Sequence, residues 1–401
     1  MEINKPRLFF KPFNEREKRM IKLCNKGIWD ETIPSIKFNT EGTSNYCSFQ
    51  EKMMRDYPRG SVGEKEWEKI VLQISVHGKG KKYDCIIGVS GGVDSSYLLH
   101  MANKCGLKPL AVHLDNGFNS EIAVNNIEKI TKALNIDLVT HVINYEEIKD
   151  LLTSYLKAGM PWIDFPTDLA IKATMYNVAL KYNIKFILRG NDFRSEGKQP
   201  TEWTYSDTKQ LLFIHKKFGK KIPLKTYPVL PLSKQLYVGT VKKIKDIRPY
   251  YYLDYNKEKA KQLLIDTYNW KDYGGHHHEN LFTKFAMAYW LPRKFGIDKR
   301  RINLSAQVLS GAITRDEALK KISEPFDTPE ELEKLMQFVI KKLDLTIDEF
   351  EKIMKSPNKT FKDYPSDYNL IYKNIKHFKW FIKRLYAFKP MSIESKELID
   401  N

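Results

Sequence analysis

Cys85-Ile86-Ile87-Gly88-Val89 runs directly into Ser90-Gly91-Gly92-Val93-Asp94-Ser95-Ser96, and this junction decides the fold. The first run is short, apolar and rich in β-branched residues, which predicts a buried strand. Beyond the serines, Tyr97, Leu98, Met101 and Ala102 recur at helical spacing. The loop therefore sits where a strand hands over to a helix. Adjacent glycines let the backbone turn tightly and approach a ligand, while serine hydroxyls and free helix N-terminal amides face it. That combination predicts a phosphate site; the plainer alternative is a glycine-serine turn that happens to precede a helix.

A Walker-type loop requires Gly-Lys-Ser/Thr so that the lysine reaches the outer phosphates, and this loop has no lysine. Ser90-Gly91-Gly92-Val93-Asp94-Ser95 instead resembles the pyrophosphate loop, or PP-loop, of ATP pyrophosphatases in the adenine-nucleotide α-hydrolase superfamily. The resemblance implies a parallel-sheet α/β fold, ATP as substrate with Mg²⁺, transfer of AMP to a substrate oxygen, and pyrophosphate as leaving group. On that likeness Asp94 is expected to hold Mg²⁺ and, with Ser90 and Ser95, to carry the chemistry. Val89, Gly91, Gly92, Val93 and Ser96 would complete the ATP cradle. His113, Asp115 and Gly190 would stand beside the nucleotide.

Outward from the loop, the pattern alternates. An amphipathic helix from Glu64 to about Tyr83 leads into the first strand. Pro109 to Asp115 reads as a second strand ending in an Asn116-Gly117 turn, Ile122 to Leu134 as a helix, Asp137 to Ile143 as a third strand, and Phe186-Ile187-Leu188 as a fourth. Such alternation predicts a parallel sheet covered on both faces, with ligands at the carboxyl ends of its strands. Asp164-Phe165-Pro166-Thr167-Asp168 opens another helix, with Thr167 or Asp168 as the expected cap. Ala286 to Leu291 is expected to end at Pro292. Thr314-x-x-Glu317, Thr328-x-x-Glu331 and Thr346-x-x-Glu349 predict three capping boxes, and a last helix is expected from Tyr368 to Tyr386. The chain thus divides into an irregular arm over 1–65, a PP-loop domain over 66–250 and a mostly helical region over 251–401.

At 401 residues, 42% apolar and 12% aromatic, the chain can bury a sizeable core. No apolar run is long enough to span a membrane, and the N-terminus lacks the apolar core of a signal peptide. The four cysteines are too scattered for a disulfide framework, so a reduced, cytoplasmic protein is expected. The net charge of +18 is concentrated: residues 215–248 hold ten lysines and arginines against one acid, Asp246. A solvated surface loop, a site for a phosphorylated small molecule, a nucleic-acid face and a docking surface all fit that run.

A narrower resemblance rests on two further stretches. Trp270-Lys271-Asp272-Tyr273-Gly274-Gly275-His276-His277-His278-Glu279 and Arg293-Lys294-Phe295-Gly296-Ile297-Asp298-Lys299-Arg300-Arg301 resemble the N-acetyl sugar amidotransferases of surface-glycan synthesis. The likeness implies an ATP-dependent, AMP-forming carbon–nitrogen ligase that turns a sugar's acetamido group into an acetamidino group for lipopolysaccharide O-antigen or related glycans. Substrate contacts are then expected from Asn191, Glu196, His277, Glu279, Arg300 and Arg301. Three consecutive histidines fan apart and cannot share one tetrahedral ion. In the arm, that family has two Cys-x-x-Cys pairs, but Gly27 and Ser44 stand at two of those positions here. Cys24 and Cys47 are left as remnants and no zinc is expected. Nothing in the chain reads as a glutaminase. The family draws ammonia from separate glutaminase and cyclase-like subunits resembling imidazole glycerol phosphate synthase, so both are expected partners, with an N-acetyl sugar or nucleotide sugar as substrate and no nucleic acid. The rival reading is a PP-loop tRNA-modifying enzyme. Such enzymes carry catalytic cysteines or an RNA-binding module, and Cys24, Cys47 and Cys105 match no such pattern.

Overall fold

The computed structural model describes residues 21–272 and 279–373. Five parallel strands form one sheet in the order β3-β2-β1-β4-β5. They are β1 (Cys85–Gly88), β2 (Pro109–Asp115), β3 (Leu138–Val142), β4 (Phe186–Leu188) and β5 (Lys245–Ile247). The chain builds outward from β1 through β2 to β3, then crosses back to lay β4 on the other side of β1. That reversal opens a crevice at the carboxyl ends of β1 and β4, where ligands of open parallel sheets bind. The fold is α/β, as the alternation predicts.

Pleating turns Cys85 and Ile87 to one face and Ile86 to the other, so each face carries its own core. On the first face, α2 (Ser61–His77), α3 (Val93–Lys104) and α4 (Glu121–Ala133) bury Trp67, Ile74, Leu98, Leu99, Ile127 and Ile130. On the second, α6 (Phe165–Lys181) sets Met175, Val178 and Ala179 against Ile86, Leu110, Val112 and Ile187. Between them in sequence, α5 (Tyr145–Lys157) joins the largest core. Edge strand β3 alternates between exposed and half-buried residues.

The arm is more regular than its composition suggests. It contains α1 (Asn45–Asp56), and the boundary drawn at 65/66 falls inside α2. Ser44 caps α1 by accepting from the Cys47 amide at 3.1 Å. A Cβ at Gly27 would meet the Trp29 ring at 2.7 Å, so that position is filled by a packed indole. Cys24 and Cys47 are both buried, and Cys24 Sγ accepts from the Ser44 amide at 3.3 Å. The Cys47 thiol hydrogen-bonded to Cys24 lowers one thiol pKa and raises the other. Gly27 and Ser44 thus have a packing and a capping role respectively.

After β4 come α7 (Phe193–Glu196), α8 (Thr201–Thr204), α9 (Thr208–Phe218) and α10 (Leu232–Thr240). The basic run thus ends α9, contains α10 and supplies β5, whose three residues carried no strand pattern. Two buried α5 carboxylates pin it. Asp150 accepts from His215 Nε2 at 2.9 Å and the Lys220 amide at 2.8 Å, and Glu147 accepts from the Thr226 and Tyr227 amides. Lys216, Lys217, Lys220 and Lys221 remain exposed.

α11 (Lys257–Tyr268) returns to pack on α3, and α12 (Leu281–Phe285) leads into a π-helical segment, Ala286–Phe295. This helix passes through Pro292 instead of stopping before it and ends at Gly296, which has φ 69°. The wider π turn relieves the clash a proline ring makes with the preceding turn of an α-helix. Then follow α13 (Arg300–Leu309), α14 (Arg315–Ser323), α15 (Pro329–Lys342) and α16 (Ile347–Lys355), the last three with the expected capping boxes. Tyr368–Lys373 is helical as α17, and the remainder of the expected last helix lies outside the described residues.

Candidate active site

The loop after β1 folds on itself. Ser90's amide donates to Ser95 Oγ at 3.2 Å, Ser90 Oγ accepts from the Gly92 amide at 3.3 Å, and Ser95 Oγ donates back to the Gly92 carbonyl at 3.3 Å. Gly92 is the N-cap of the 12-residue α3, and no side chain caps that helix. Its first-turn amides are left for a ligand, and the positive end of the helix dipole adds to their pull on an anion. Gly91 has φ +81° and its carbonyl accepts from Trp270 Nε1 at 3.2 Å, which ties the turn to the segment after α11.

Asp94 stands in the first turn of α3, held from three sides. Tyr255's hydroxyl donates to Oδ1, Lys257 Nζ lies 3.1 Å from Oδ2, and Tyr250's hydroxyl donates to its carbonyl at 2.7 Å. Burial lowers the Lys257 pKa most, but the Asp94 charge and hydrogen bond, with the charges of Glu279 and Glu196, together leave the ammonium above its usual range. Across the crevice, a Cβ on Gly190 would meet the Asp94 carbonyl carbon and oxygen at 3.0 Å. The clearance Gly190 supplies is thus for the loop helix itself.

These groups wall a cleft of about 400 Å³, within the range of small-molecule sites. Of the residues anticipated for it, Val89, Ser90, Gly92, Asp94, Ser95, His113, Gly190, Asn191, Glu196 and Glu279 line it. Gly91, Val93 and Ser96 shape the loop from behind. His113 donates from Nδ1 to the Val89 carbonyl at 2.9 Å and accepts at Nε2 from Asn119 at 3.2 Å, and burial lowers its pKa, so it is a neutral ring.

Three expectations are corrected. Asp115 closes its turn by accepting from the Gly117 amide at 2.8 Å and does not line the cleft. Arg300 pairs with Asp298 at 2.7 Å and donates to the Glu324 carbonyl at 2.8 Å, while Arg301 pairs with Asp30 at 2.9 Å and donates to the Ile28 carbonyl at 3.0 Å. Both bind chain segments together outside the cleft. Thr167 and Asp168 do not cap α6, whose N-cap is Asp164. Thr167 accepts from Asn116 Nδ2 at 3.0 Å and Asp168 from Trp162 Nε1 at 2.6 Å. His277 lies outside the described residues.

Residues the loop motif did not announce complete the walls: Lys257 beside Asp94, and Trp162, Asp164, Thr283 and Lys299. Asp164 and Asp168, four apart at the start of a helix, were the signal available. Burial, then the neighbouring Asp168 charge, pushes the Asp164 carboxyl up to about 7. Lys299 sits 3.7 Å from the centre of the Trp162 ring, and burial pushes its ammonium down to about 8 against the pull of Asp168, Glu196 and Asp164. The cleft therefore brings the uncapped turn and Lys257 together with the carboxylates of Asp164, Asp168 and Glu196.

Mg²⁺ coordinated by phosphates and water needs only one or two protein carboxylates. Asp94 fits that role as a single ligand sharing its charge with Lys257; no cluster of three metal-ligating side chains occurs among the described residues. Among them, too, no helix is long and apolar enough to cross a membrane.

The fold and cleft define an α/β protein with an anion-binding turn at the switch point of a parallel sheet. Residues 279–379 match a family described as LPS biosynthesis protein WbpG-like, C-terminal domain. Uncharacterized protein MJ1599 of Methanocaldococcus jannaschii is 23% identical over 302 residues, covering 73% of this chain and 93% of its own. Among solved structures, the chain is similar to NMN synthetase from Francisella tularensis at 19% identity and a TM-score of 0.27, over 58% of this chain and 94% of that one. It is also similar to the tRNA thiolase NcsA from Methanococcus maripaludis at 13% identity and a TM-score of 0.33, over 77% of this chain and 91% of that one.

Proposed function

We propose that this chain is an ATP-dependent, AMP-forming amidotransferase that activates the acetamido oxygen of an N-acetyl sugar and replaces it with ammonia. The acetamidino sugar would serve lipopolysaccharide or related surface-glycan synthesis. One observation carries the reading. The anion-binding turn of residues 90–96 shares a cleft with Asn280, Thr283 and Lys299, which come from the segment matching the lipopolysaccharide-synthesis family. An amide oxygen is a poor leaving group, and transfer of AMP turns it into a good one. Pyrophosphate departs against the uncapped amides of α3 and the Ser90 and Ser95 hydroxyls, charge-assisted contacts worth most where the charge develops. Mg²⁺ beside Asp94 would add neutralising charge there.

A screen of N-acetylated nucleotide sugars with ATP and ammonium tests the reading. The expected products are AMP, pyrophosphate and a sugar lighter by the exchange of O for NH. ADP and phosphate in their place would remove the assignment. Tight tRNA binding at physiological salt, with no sugar turnover, would favour the tRNA-modifying rival, since phosphate contacts weaken steeply with salt.

Ammonia would come from a glutaminase subunit through a cyclase-like subunit, and the exposed end of the basic run is the surface assigned to that docking. Reversing the charges of Lys216, Lys217, Lys220 and Lys221 is expected to cut glutamine-driven turnover on the order of tenfold while sparing ammonium-driven turnover. Equal loss of both would move this run into the substrate site.

A further inference from the structure

The carboxylate end of the cleft has a feature that packing does not explain. Asp164 is 1% exposed, yet it lines the cleft. Its Oδ2 accepts from Thr283 Oγ1, and the Thr167 hydroxyl also acts on the carboxyl, while Oδ1 is shielded from water and makes no hydrogen bond of normal geometry. An unsatisfied buried carboxylate oxygen is costly and ordinarily has a partner. Asp168 and Glu196 act with Asp164 on Lys299, whose ammonium lies over the Trp162 ring, and Glu196 also acts on Lys257 and Arg248. A cationic N–H donor on a ligand would give the orphaned oxygen its partner.

The proposed reaction makes such a cation. Its substrate is a neutral amide and its product an amidinium, a planar ion whose N–H groups match a carboxylate. We propose that Asp164 and Asp168 form an amidinium-binding site: Asp164 receives the proton released as the group forms, and Asp168 keeps the negative charge that pairs with the product. Resting on the amidotransferase reading, the step runs as follows. Ammonia adds to the adenylated amide carbon, forming the new C–N bond while the C=N π pair moves onto the amide nitrogen, and leaving an ammonium on the adduct. That nitrogen loses a proton to Asp164. The C–O bond to AMP then breaks, its electron pair leaving on the phosphate oxygen, and the nitrogen lone pair closes the amidinium. The cleft suits this division, because the anionic leaving groups meet the uncapped α3 amides and the cation meets the Asp164 and Asp168 carboxylates.

Small-molecule binding to the full-length protein tests the site apart from any turnover. Acetamidinium is expected to bind about tenfold or more tightly than neutral acetamide, as a charge-assisted contact would give. Trimethylammonium, a cation without N–H groups in a plane, should bind as poorly as acetamide. Asp164→Asn is expected to lose the preference for acetamidinium. Equal binding of acetamide and acetamidinium by the wild type would overturn the proposal even where no variant folds, and so would an Asp164→Asn protein that keeps the preference. If wild-type protein binds acetamidinium selectively but converts no N-acetyl sugar, the site stands and the amidotransferase reading fails. If it converts sugars but shows no selectivity, the reading stands and the site fails.

Discussion

Asp94→Ala is expected to lower AMP and pyrophosphate formation by on the order of a hundred- to a thousandfold, the usual consequence of removing one preorganised electrostatic group. The carboxylate does two things that alanine cannot. It presents a negative charge beside the anion-binding turn, and it holds Lys257 at 3.1 Å with Tyr255 on its other oxygen. Without it, the Tyr255 hydroxyl loses its acceptor in a buried site, so a loss of about 1–3 kcal/mol in stability is expected as well. That cost exceeds what an exposed loop residue would show. Asp94→Asn separates the two effects, because it keeps an acceptor for Tyr255 while removing the charge. Pyrophosphate release and urea unfolding of both variants are the measurements. An Asp94→Asn enzyme with near wild-type pyrophosphate release would rule out a charge role for Asp94.

The β1–loop–α3 unit was legible because everything that makes it is local: β-branched residues, two glycines and a helical period within some twenty positions of sequence. The walls of the cleft were legible only where they follow a strand end. Lys257, Asp164 and Lys299 reach the site through tertiary packing from elements far apart in the chain, and only the spacing of Asp164 to Asp168 marked any of them locally. The Lys299-Arg300-Arg301 run illustrates the limit. Its charge was visible, but not which side chain turns inward. Because α13 begins at Arg300, consecutive residues diverge by about 100° around the axis. Lys299 enters the cleft, while Arg300 reaches Asp298 and Arg301 reaches Asp30. β5 was hidden for a related reason, since Lys245-Asp246-Ile247 is too short and too charged to show a strand period.

Gly91→Ala carries the largest stability effect. A Cβ there would stand 2.2 Å from the Ala123 carbonyl oxygen and 2.7 Å from its carbon, distances no real contact tolerates. The obstacle is backbone in the first turn of α4, so no rotamer change relieves it. The residue also has φ +81°, a region that costs a non-glycine residue roughly 1 kcal/mol. Moving the turn to escape the clash would break the bond from Trp270 Nε1 to the Gly91 carbonyl, leaving a buried indole donor without its acceptor. Overpacking, strain and that lost bond together predict about 3–5 kcal/mol of destabilisation. Because the same movement displaces Ser90 from Ser95 and the α3 amides, pyrophosphate release should fall even in molecules that remain folded. Gly106→Ala is the control: it has φ +71° but open space around its Cβ, so it isolates the backbone strain from the clash. Thermal unfolding of the two variants should separate them clearly, with Gly91→Ala the lower. Equal midpoints would mean that the turn is not packed against α4 as described.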